Sequence, residues 1–74
     1  MFEKIKDIIV ETLGCSESAV TMEAKLMEDL GADSLDAVEL SMAVEEAFGI
    51  TIEEDALTNF KTVGDIVNYA QENA

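Results

Sequence analysis

Phe2, Ile5, Ile9 and Leu13 recur at positions i, i+3, i+7 and i+11, with Ile8 beside them. Residues three and four apart share a face of an α-helix, so this spacing predicts an amphipathic helix rather than an alternating, half-buried strand. Gly14 follows directly and suits the left-handed residue that closes such a helix. A second helix is expected to start at Asp33 or Ser34. Asp33 is a good N-cap, and Asp36 puts a carboxylate in the first turn, where the helix dipole favours it. This helix runs to Phe48 and ends at Gly49. Thr62 caps a last helix, with Asp65 three residues on in a capping-box-like arrangement and Val63, Ile66, Val67 and Ala70 as its buried face.

Between these segments the periodicity fails. Residues 15 to 32 carry no sustained pattern, and Val20, Leu26 and Leu30 are expected to anchor a long loop to the core. Ile50 and Ile52 flank Thr51 as a strand would, but a lone strand has nothing to pair with. They are read as loop anchors, followed by a short helical turn from Asp55 to Asn59. The expected fold is all-α: a small four-helix bundle of three main helices and one short one, with a long loop between the first and second. The 74 residues leave no room for a second core, so residues 1–74 form one domain.

Charge limits what such a bundle can bind. Seventeen acids against four lysines and arginines give a formal net charge of −13. The chain should repel nucleic acid and anionic membranes and associate with basic protein surfaces. No uninterrupted apolar run approaches the ~20 residues of a membrane span. The first segment carries Glu3, Lys4, Lys6, Asp7 and Glu11 and is unlike a signal peptide. Cys15 is the only cysteine, which rules out an internal disulfide and is expected to be a half-buried apolar residue. The expected setting is a reducing cytoplasm.

Several chemistries are excluded. With no histidine, neither a Ser–His nor a Cys–His nucleophilic pair can form. A calcium loop started at Asp29 or Asp33 puts Gly31 or Leu35 where the third-position oxygen ligand belongs, and no metal site is expected. Gly31 is isolated, so there is no phosphate-cradling glycine loop. No spacing singles out a pair of catalytic carboxylates. The chain reads as a non-enzyme.

On a wheel advancing about 100° per residue, Ala37, Leu40, Val44, Ala47 and Phe48 of the second helix form the expected core face. Leu35, Val38 and Met42 form another apolar stripe on roughly the opposite side, with Glu39, Glu45 and Glu46 around it. Two readings stand. The stripe is plain core if this helix is buried on two sides, or a docking face for a greasy patch ringed by Lys and Arg. The flanking carboxylates favour docking, since such groups are seldom fully buried unless paired.

The run EDLGADSLDAVEL from Glu28 to Leu40 closely resembles the prosthetic-group attachment motif of acyl carrier proteins of dissociated fatty acid synthases. The similarity extends over nearly the whole chain, including SMAVEEAFGI at the end of the second helix and FKTVGDIVNYA in the last. The resemblance implies that Ser34 accepts 4′-phosphopantetheine from coenzyme A through a phosphodiester, with Asp33 capping the helix and helping to place the serine. It implies a monomeric carrier of growing acyl chains, served by a phosphopantetheinyl transferase and by fatty acid synthesis enzymes with basic docking patches. Leu35, Val38 and Met42 would then be apolar contacts, and Asp33, Asp36, Glu39, Glu45 and Glu46 partners for Arg and Lys. Leu26, Leu40, Val44, Ile52, Leu57 and Phe60 match the kind of residue that lines an acyl pocket in that family. A standalone carrier for a polyketide or amino-acyl pathway stays open beside this, as does an acidic helical adaptor with no prosthetic group.

A chain of net charge −13 is expected to repel itself, and salt near 0.1 M shortens the range of that repulsion to about 10 Å. Melting temperature should therefore rise with added salt; identical melting at low and high salt would refute the self-repulsion.

Overall fold

The computed structural model describes residues 1–73, which form four helices: α1 (Phe2–Leu13), α2 (Ser34–Phe48), α3 (Glu54–Asn59) and α4 (Val63–Asn73). Two termini follow the glycines. Gly14 takes φ 69° and donates its N–H to Val10 O at 2.9 Å, while Gly49 takes φ 66° and donates to Glu45 O at 2.8 Å. Both helices stop because the next residue turns left-handed, a conformation glycine adopts without a Cβ clash. The helix expected at 55–59 begins one residue earlier, at Glu54.

The core lies between α1, α2 and α4. Ile5 and Ile9 of α1, Leu40 and Val44 of α2, and Val63, Ile66, Val67 and Ala70 of α4 are all buried. The buried face of α2 departs from the expected one. Ser41 is buried and Ala47 is exposed. Ser41 lies about 40° from Ala37 on the wheel and Ala47 about 80°, so angle rather than apolarity decides which faces inward. The Ser41 hydroxyl is accommodated by donating to Val38 O at 2.7 Å within its own helix.

The long connection between α1 and α2 is more ordered than its sequence suggested. Val20 and Leu26 are buried and Leu30 is half-buried, as anchors should be, but Ala24 and Ala32 are buried with them. A single 3-10 turn occupies Glu17–Ala19. The connection is then sewn to the start of α4 through backbone bonds. Leu26 N–H donates to Lys61 O (2.9 Å), Val63 N–H to Ala24 O (3.0 Å) and Gly64 N–H to Met22 O (2.9 Å). A Cβ on Gly64 would stand 3.0 Å from that Met22 oxygen, so any larger residue would press the two backbones apart by a few tenths of an ångström.

The remaining connections are held by carboxylates. Glu45 Oε2 accepts from Ile52 N–H at 2.7 Å, fixing the turn from α2 to α3. Ile50 and Ile52 pack half-buried against the core there. Asp65 Oδ2 accepts from Lys61 N–H (2.9 Å) and Thr62 N–H (3.1 Å), and Asp65 N–H donates back to Thr62 Oγ1 at 3.3 Å. The capping box expected at Thr62 and Asp65 is present. Cys15 is half-buried and free, packed against the core.

The Lys61 and Thr62 amides stabilise the Asp65 carboxylate and, against slight burial, hold its pKa below the ordinary value of 3.8. A pKa lowered by folding contributes stability that is present above that ordinary value and is lost as pH falls through the lower, folded one. In acid titrations of unfolding, Asp65→Asn should therefore flatten the loss of stability below pH 3.8 relative to wild type. Parallel curves would show that the carboxylate plays no part.

Candidate functional site

The start of α2 is built by two aspartates. Asp33 is extended (φ −103°, ψ −174°), and its Oδ1 accepts from Asp36 N–H at 2.8 Å. Asp36 Oδ2 accepts in return from Asp33 N–H at 3.2 Å, closing a reciprocal capping box. The expected N-cap is thus present, together with a return bond that the sequence reading assigned only to the helix dipole. Upstream, Gly31 turns left-handed at φ 72°, and Ala32 is buried with its N–H on Leu26 O at 2.9 Å. The residues before Ser34 are therefore held from both sides.

Ser34 is the first helical residue and is exposed. Its hydroxyl has no hydrogen-bond partner among the described residues, and neither have the N–H groups of Ser34 and Leu35. A phosphate ester on this oxygen would stand beside unpartnered amides at the positive end of the helix. The site thus fits a phosphodiester at Ser34, with Asp33 fixing the serine's position through the cap.

The second stripe of α2 is surface. Leu35 is 66% exposed, Val38 42% and Met42 60%, which overturns the reading of these residues as core. Around them Glu39 and Glu46 are exposed and make no ion pair among the described residues. Asp36 and Glu45 are half-buried and already engaged, one in the capping box and the other on Ile52 N–H. The acidic positions singled out along α2 therefore divide into two that are unencumbered and two that also hold the fold.

Five of the six expected acyl-pocket residues lie in or against the core. Leu26, Leu40 and Val44 are buried within the core, and Ile52 and Phe60 pack half-buried against it. Leu57 is half-buried on α3, outside that packed group. Two surface clefts lie elsewhere: one of about 330 Å³ between α3 and α4, and one of about 570 Å³ between the long loop and the α3–α4 junction. Of the six residues, only Phe60 lines either of them.

Met27 escaped the sequence reading. It is 61% exposed on the loop ahead of Ser34 and lines the larger cleft. Its signal was faint, a single apolar residue next to Leu26 in a stretch without periodicity.

Residues 3–70 match the family model described as phosphopantetheine attachment site. The match spans nearly all of α1, the long loop, all of α2 and α3, and most of α4.

Removing the cap should loosen this site before it unfolds the protein. Asp33→Ala is expected to cost about 0.5–2 kcal/mol of stability and to speed amide exchange at Asp36 and Ala37. Unchanged exchange at those two amides would show that the box does not hold the helix start.

Proposed function

Because the chain belongs to the phosphopantetheine attachment family, whose members carry covalently attached 4′-phosphopantetheine, we propose that it carries growing acyl chains in fatty acid biosynthesis, with Ser34 as the attachment residue. The observation that carries this reading is the exposed, unbonded Ser34 hydroxyl at the capped start of α2, continuous with the exposed stripe of Leu35, Val38 and Met42. When bound, the group supplies a terminal thiol that holds an acyl group as a thioester. The protein's own part is positioning and recognition rather than catalysis.

Recognition falls to α2. Leu35, Val38 and Met42 offer apolar surface, and Asp33, Asp36, Glu39, Glu45 and Glu46 offer charge to Arg and Lys on the transferase and the synthesis enzymes. Glu39 and Glu46 are the freest to pair, since Glu45 is already bonded to Ile52 N–H. Each exposed pair contributes only ~0–1 kcal/mol, so docking is weak, fast and salt-sensitive, as a shuttle visiting many enzymes requires. An acyl chain lodged among Leu26, Leu40, Val44, Ile52, Leu57 and Phe60 would have to part α2 from α3, because Leu40 and Val44 are 1% exposed. The carrier is read as a cytoplasmic monomer. Among the described residues no helix is long and apolar enough to cross a membrane.

The test is intact mass before and after incubation with coenzyme A and a phosphopantetheinyl transferase. A gain of one phosphopantetheine is expected in wild type and none in Ser34→Ala. No gain from a protein that begins unmodified would discard the carrier reading in favour of an acidic adaptor. Loading the modified protein with malonyl groups and offering it to fatty acid elongation enzymes then separates this pathway from polyketide and amino-acyl ones. Failure to elongate would reject the fatty acid assignment alone.

A further inference from the structure

Lys25 sits where the long loop meets the start of α4. The bonds from Leu26 N–H to Lys61 O (2.9 Å) and from Val63 N–H to Ala24 O (3.0 Å) flank the antiparallel pairing of Lys25 with Thr62. In such a pairing the residue between the two bonds turns its own N–H and C=O to the opposite edge. There the chain folds back on itself. Asp29 and Leu30 donate their N–H groups to Lys25 O at 2.9 and 3.1 Å, and Asp29 Oδ2 accepts from Lys25 N–H at 2.8 Å. Asp29 thus bonds both backbone groups of Lys25 and closes a turn over residues 25–30.

That turn leads the chain to Ser34. Leu26 lies inside it, and its C=O receives Ala32 N–H at 2.9 Å, two residues before the serine. Downstream, the serine is held by the box of Asp33 and Asp36. Upstream, Asp29 makes the one hydrogen bond from a side chain to the backbone of residues 25–32, among the described residues. Glu28, the neighbouring acid, pairs with Lys25 Nζ at 3.1 Å instead. Asp29 is exposed, so its side chain serves the fold through that bond rather than through burial.

We propose that Asp29 is a positioning residue for the modification of Ser34. Its carboxylate closes the turn that holds Leu26 O against Ala32 N–H, and this fixes the approach of the chain to the start of α2. The inference rests on the carrier reading with Ser34 as the attachment residue, and adds a residue that acts on the serine through the backbone without touching it.

The test follows transfer of the arm from coenzyme A to the full chain by a phosphopantetheinyl transferase, with intact mass as readout. Misplacing a reacting group by about 1 Å costs on the order of 100-fold in rate, so Asp29→Ala is expected to lower kcat roughly tenfold or more with KM little changed. Amide exchange at Ala32 should speed up in the same variant. Asp29→Asn keeps an oxygen acceptor without the charge and should restore both the rate and the slow exchange. Should Asp29→Ala fail to fold, Asp29→Glu keeps the charge but moves it by one methylene, and is expected to be slow. A wild-type rate in Asp29→Ala or Asp29→Glu would overturn the positioning role. Equal losses in Asp29→Asn and Asp29→Ala, carried by a raised KM, would overturn it in favour of a direct charge contact with the transferase. No transfer to wild type would overturn the carrier reading itself, whereas unchanged exchange at Ala32 in Asp29→Ala would overturn the role of Asp29 alone.

Discussion

With seventeen carboxylates and four ammonium groups, this chain cannot hold itself together by ion pairs. Among the described residues one salt bridge forms, between Lys25 and Glu28 on the surface. The acids are used instead as acceptors for backbone N–H groups. Asp29 binds the Lys25 amide, Asp33 and Asp36 bind each other's, Glu45 binds that of Ile52, and Asp65 binds those of Lys61 and Thr62. Each of these bonds is charge-assisted and satisfies a donor that a loop or helix start would otherwise leave to water. The strongly acidic composition therefore supplies the joints between elements as well as the surface potential.

The same economy shapes the site. Asp33 and Asp36 spend their charge on the cap that holds Ser34 in place, and Glu45 spends part of its own on the turn after α2. Glu39 and Glu46 stay exposed and free of such bonds beside an apolar stripe. The cap and the exposed stripe thus draw on different carboxylates, so altering Glu39 or Glu46 leaves the cap's hydrogen bonds in place.

Much of this was legible in the sequence because it is local. Helix starts follow from Asp33 and from Thr62 with Asp65, and helix ends from Gly14 and Gly49, since each signal and its effect lie within one turn. The stripe on α2 was visible as a pattern, but whether it faced core or solvent depended on where α1 and α4 pack. Ala47 was misassigned and Ser41 left off the core face because angle on the wheel rather than apolarity sets burial, and a small hydroxyl that can bond its own helix is no obstacle to it. The buried Ala24 and Ala32, the glycine at position 64 and the engagement of Glu45 were hidden because each depends on a segment distant in sequence or beyond the next turn. No residue of the loop announces that its backbone will pair with the start of α4.

That pairing has a consequence for how the molecule comes into being. Its bonds join residues 26 and 61, 24 and 63, and 22 and 64, separations of 35 to 42 positions, whereas the helices close their bonds within a single turn. Distant pairings bear their loop-closure entropy before they gain any contact, so they form later than local structure. Ser34 is set in place by the Ala32–Leu26 bond, and Leu26 is in turn set by its bond to Lys61. The geometry around the serine is completed only when the last helix has joined the first part of the chain. On the proposed reading, an enzyme that modifies Ser34 in that geometry would discriminate against unfinished chains, so that modification and quality control would coincide at one residue.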